Sequence, residues 1–118
     1  MSQQLIDQTY KLKDELDRLK DYYLTHEPPE SKNDKPFFMM VKETLEPIYQ
    51  ALEKWEEDAL HSAKQRQTNV HPQQITSTKE NMDMLLLHSY YIDVKRKRYM
   101  EMNHSIHYVF DQLLRDLT

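Results

Sequence analysis

The chain has 118 residues, a formal net charge of −4, 38% hydrophobic and 31% charged residues, and neither glycine nor cysteine. Average usage would supply roughly eight glycines, so P-loops, G-x-G-x-x-G turns, nucleophile elbows and Asn-Gly hairpins are excluded. The missing cysteine removes disulfides, thiolate nucleophiles and zinc ribbons.

What remains is one domain, residues 1–118, built from good helix formers. The start, Met1-Ser2-Gln3-Gln4, has neither the basic nor the apolar region of a signal peptide. No apolar run approaches the roughly 20 residues of a membrane span, so the expectation is a soluble cytoplasmic protein.

The first helix is predicted from Gln3 to Thr25, with Ser2 as its N-cap. Leu5, Leu12, Leu16, Leu19 and Tyr23 form its apolar stripe. His26 to Asp34 holds two prolines and no aliphatic residue; it reads as a loop, with Asp34 capping the next helix. The second helix carries a near-perfect heptad, Phe38, Val41, Leu45, Ile48, Leu52, Trp55, Ala59 and Ser62. That stripe passes Pro47 in phase, which predicts a kink rather than a break.

Lys64 to Val70 is polar and leaves the helix; His71 then caps a third helix that Pro72 opens. Its stripe is Ile75, Thr78, Met82, Leu85, Ser89 and Ile92, widened by Leu86, and Ile106, Val109, Phe110, Leu113 and Leu117 form the last one. Between them the phase runs on through Arg96, Tyr99 and Met102 without glycine or proline. A single helix from Pro72 to Leu117 would reach about 69 Å at 1.5 Å per residue and would need dimerisation or swapping to bury its stripe. The preferred reading is a turn between Lys97 and Ser105, with Asn103 capping a fourth helix. The fold expected is all-α, an up-and-down four-helix bundle with a kinked second helix, as a monomer or homodimer.

Val70-His71-Pro72-Gln73-Gln74-Ile75, Glu80-Asn81, Ser89-Tyr90 and Lys97-Arg98-Tyr99 resemble the YppE-like family of Gram-positive bacteria. Phe37-Phe38, Trp55 and Ala59-Leu60 also sit where that family would place them, so the resemblance covers roughly 37–117. It implies a four-helix bundle from a small cytoplasmic protein without assigned activity, and it carries over no catalytic or binding residue.

Two Asp/Glu-x-x-His pairs, Asp58 with His61 and Glu101 with His104, have the spacing of a bundle metal site. Both point away from their stripes, so no metal or cofactor is expected. His104 with His107 could clamp an ion, but an ordinary surface pair is the stronger reading. His88 reads as a partly buried, hydrogen-bonded histidine. Ser62, Ser89 and Ser105 lack a local activating context, so no enzyme is expected.

The densest charge run is Lys95-Arg96-Lys97-Arg98. At a helix C-terminus four cations would favour the macrodipole, and that reading is preferred to a phosphate grip. The methionines Met39, Met40, Met82, Met84, Met100 and Met102 are expected to fill core gaps. An up-down-up-down path gathers Tyr22, Tyr23, Phe37, Phe38, Tyr90, Tyr91 and Tyr99 at the pole that receives the basic run and the acidic proline loop. A widened bundle end filled by rings explains this without a function. The functional reading is a protein-partner surface formed by Tyr22, Tyr23, Phe37, Tyr90, Tyr91, Lys95, Arg96, Lys97, Arg98 and Tyr99. The alternative is an anionic ligand or nucleic acid on Lys95 to Arg98, disfavoured by the chain's net acidity.

Overall fold

The computed structural model describes residues 2–118. Four helices follow one another: α1 Ser2–Thr25, α2 Lys35–Lys64, α3 Pro72–Tyr91 and α4 Arg96–Leu117. Helices consecutive in the chain pack side by side, α1 closes the ring against α4, and α1 also touches α3 across the middle. The bundle is 47 × 27 × 20 Å. No described helix is long and apolar enough to cross a membrane.

The apolar stripes close on each other much as their spacing requires. Leu12, Leu16, Leu19, Leu45, Leu52, Trp55, Ile75, Met82, Leu85, Leu86, Tyr99 and Phe110 are the large fully buried side chains. Trp55 meets Phe110 edge to face, with ring centroids 5.1 Å apart. Thr9 fills the gap between Leu5 and Leu12; its buried hydroxyl accepts from Trp55 Nε1 at 3.0 Å and donates to the Leu5 carbonyl at 2.7 Å. α2 runs unbroken through Pro47, whose ring leaves the Glu43 carbonyl without its usual donor.

Helix ends show how the chain manages without glycine. Asp34 caps α2 through Phe37 N at 3.0 Å. His71 caps α3 in a reciprocal box with Gln74, and Pro72 takes the first helical position. α2 stops in a Schellman motif, Gln67 N to Ser62 O and Arg66 N to Ala63 O, with Arg66 left-handed at φ 59°. α3 stops with Ile92 left-handed at φ 50°, ψ 46°. The cap expected of Ser2 concerns a side chain outside those described.

Four sequence expectations need correction. The turn after α3 lies at Ile92–Lys95, before the predicted interval, and Asn103 is buried inside α4 instead of capping it. The cause is Ile92, a β-branched residue in a conformation that favours glycine and that no propensity would assign to it. Consequently Lys95–Arg98 sit at the start of α4, not at the end of α3, and the favourable macrodipole reading fails. Phe38 is 49% exposed and not part of the core, which starts at Val41. Met39, Met40 and Met84 are exposed too, so core filling describes only Met82 and Met102, with Met100 partly buried.

Candidate partner-binding pole

The end of the bundle holding the α1–α2 loop and the α3–α4 turn gathers the aromatic rings in three groups. Tyr23 stacks flat on Tyr99 at 3.8 Å. Tyr22 lies between His26, stacked at 3.8 Å, and Tyr90 at 4.5 Å. Phe37 meets Tyr91 edge-on at 5.3 Å. Tyr23, Tyr90 and Tyr99 are buried, whereas Tyr22, Phe37 and Tyr91 are partly buried and reach the surface. The buried three are the floor of the pole and the other three its rim.

Hydroxyls tie this floor to the backbone. Tyr23 donates to the Val94 carbonyl at 2.6 Å. Ser89 donates to the Leu85 carbonyl at 2.7 Å, so at the 2.6 Å contact with Tyr99 the phenol is the donor. Burial pushes the Tyr99 phenol up to about 12, so it stays protonated across the physiological range.

Asp93 is the polar knot of the α3–α4 turn. His88 Nδ1 donates to it at 2.7 Å, and Lys32 reaches it from the α1–α2 loop at 3.6 Å. Burial pushes its carboxyl up, but the bond from His88, a backbone hydrogen bond and the charge of Lys32 outweigh burial and hold it below the usual carboxylate value. The acidic loop therefore contributes a cation, Lys32, to Asp93. Among the described residues Lys95, Arg96, Lys97 and Arg98 form no ion pair, and all four are exposed.

The position of these cations is electrostatically adverse. Lys95 is the N-cap of α4 and makes no side-chain cap bond; Arg96, Lys97 and Arg98 follow at once, and the first turn holds no acid. A helix N-terminus carries about half a positive charge on unsatisfied N–H groups. Beside them Leu24 is 41% exposed on the same side of α1 as Lys13 and Asp17, which pair with Asp111 and His107 of α4. A shallow depression next to the run is lined by Lys97, Met100, Glu101, His104 and Ser105.

The opposite pole holds a cavity of about 240 Å³ lined by Gln4, Leu5, Lys54, Asp58, His61, Ser62 and Gln67. Apart from His61, its polar side chains are engaged: Asp58 accepts from Gln4 at 3.2 Å and from the neighbouring Gln8 at 2.9 Å, with Lys54 at 3.4 Å, and Ser62 donates to Gln67 at 3.0 Å. No cluster of three or more metal-ligating side chains occurs among the described residues, and His107 is bonded to Asp17 at 3.1 Å.

The model of a bacterial domain of unknown function, DUF1798, matches residues 9–117. The chain belongs to this family. It is 29% identical over 121 residues to the uncharacterised protein YppE of Bacillus subtilis strain 168, covering 98% of this chain and 97% of that protein. Its fold is similar to the crystal structure of YppE, with a TM-score of 0.77 at 25% identity over 98% of this chain and 94% of that one. The solution structure of YppE gives 0.79 at 22% identity, over 99% and 94%. The likeness to the YppE structures agrees with the four-helix fold, and the DUF1798 family carries no assigned activity. Thr9 and Asp93 escaped the sequence reading. A tryptophan needing an acceptor, with a threonine in the one gap of the facing stripe, is a signal for Thr9; Asp93 offers none, because its role depends on where α3 stops.

Proposed function

We propose that this protein is a non-enzymatic cytoplasmic interaction module, and that its aromatic and basic pole docks an acidic segment of a protein partner. The observation that carries this reading is the run of four exposed cations without ion pairs at the N-cap and first turn of α4, where they oppose that helix's dipole. Local choices that work against the fold are expected at functional sites. An acidic segment supplies what that turn lacks, carboxylates for the cations and acceptors for the free N–H groups. Tyr22, Phe37 and Tyr91 on the rim, with Leu24 beside the run, offer apolar contact; Tyr23, Tyr90 and Tyr99 hold the rim in place.

The test is affinity capture from the native cell with the wild type, with a Tyr22→Ala, Tyr91→Ala, Arg98→Ala variant and with a Lys95→Glu, Lys97→Glu variant. A partner with an acidic segment should be retained by the wild type and lost from both variants. Identical partner sets, or none, would overturn the proposal. Capture of nucleic acid, with binding that weakens steeply between about 50 and 200 mM salt, would replace the protein partner by a polyanion.

A further inference from the structure

We propose that α3 and α4 straighten through Ile92 into one helix, and that two copies of the chain then exchange α4. Three independent features of the turn point this way. Ile92 is held left-handed at φ 50°, ψ 46°, a conformation that a β-branched residue avoids and that glycine, absent from this chain, would fill without strain. α4 starts without a side-chain cap and with four cations against its dipole; a continuous helix has no terminus there, so both penalties vanish. The apolar phase of Ser89, Ile92, Tyr99, Met102 and Ile106 passes through the turn, with neither glycine nor proline between Tyr91 and Tyr99 to stop a helix.

Exchange conserves the interfaces that α4 makes. Tyr99 with Ser89 and Tyr23, Lys13 with Asp111, Asp17 with His107, and Asp116 with Thr68 all re-form between copies. Only the turn differs between the two states, which is the condition under which a strained hinge favours swapping. What holds the closed form is Asp93, gripped by His88 and Lys32, together with the Tyr23 bond to the Val94 carbonyl. In the exchanged form the basic runs of two copies approach, so salt that screens them favours it.

The experiment exploits the absence of cysteine. A Lys13→Cys, Asp111→Cys variant is refolded at high protein concentration and high ionic strength, separated by size, and treated with a short thiol-reactive crosslinker. A closed monomer yields a linked single chain; the exchanged dimer, twice the 14.4 kDa chain, yields a linked pair on a denaturing gel. The hinge is read from Ile92→Ala and Ile92→Gly in this background, which lose the same side chain but differ in left-handed and helical preference. The dimer should dissociate at least about a hundredfold more readily with glycine, tenfold from each of two hinges. Asp93→Ala should raise the dimer fraction. Monomer only in the alanine variants, a dimer whose links stay within one chain, or equal dissociation for the two Ile92 variants would overturn the proposal.

Discussion

Replacing Lys95 by aspartate should stabilise the protein. Lys95 already has the extended N-cap backbone, φ −64° and ψ 146°, and makes no cap bond, so an aspartate there finds the free N–H groups of α4 without rearrangement. A side-chain cap contributes about 1 kcal/mol. Exchanging a cation for an anion at the positive end of the dipole adds about 0.5–1 kcal/mol at low ionic strength. The unfolding entropy of 118 residues is about 0.25 kcal/mol/K, so a total of about 1.5–2 kcal/mol raises the midpoint by about 6–8 °C. The assay is thermal unfolding followed by circular dichroism, at low salt and again near 1 M salt. The dipole share should fade at high salt while the cap share persists, and Lys95→Ala should give only the smaller electrostatic gain. A Lys95→Asp variant that melts at or below the wild type at low salt would refute the reading of this turn as uncapped and overcharged.

Three further outcomes follow from the packing. Thr9→Val leaves the buried Trp55 N–H without an acceptor and should cost about 1–3 kcal/mol in urea unfolding. Ser89→Ala strands the Tyr99 hydroxyl and should cost about as much, whereas Tyr99→Phe leaves Ser89 bonded to the Leu85 carbonyl and should cost less; the reverse order would overturn the donor assignment. The Asp116 carboxylate is held below its ordinary value by the Thr68 hydroxyl and then by the Asn69 N–H. Its contribution is therefore complete above the unfolded value near pH 4 and is lost as pH falls through the lowered folded value. Asp116→Ala should melt below the wild type at pH 6, with the gap narrowing toward pH 2.5.

The seams of the bundle were legible because period and burial coincide. Leu5, Leu12, Leu16, Leu19 and Tyr23, and Val41 through Ser62, are buried where the spacing puts them. Polar punctuation was legible too, since Asp34, His71 and Pro72 act through their own chemistry. The α3–α4 turn was not. Its signal would be a glycine, and the position is taken by Ile92, whose preference points to continued helix. Misplacing that turn reversed the electrostatic meaning of Lys95–Arg98, from favourable at a C-terminus to adverse at an N-terminus. Phe38 shows a different limit. Helical phase gives direction around an axis and puts Phe38 on the stripe of Val41 and Leu45, yet it is 49% exposed while its neighbour Phe37 packs on Tyr91.

The most direct test joins stability and capture in one variant. Lys95→Asp combined with Lys97→Glu should melt higher than the wild type and lose the acidic partner that the wild type retains. A variant that melts lower would show that the cations serve the bundle, and one that captures the same partners as the wild type would show that they do not hold a partner.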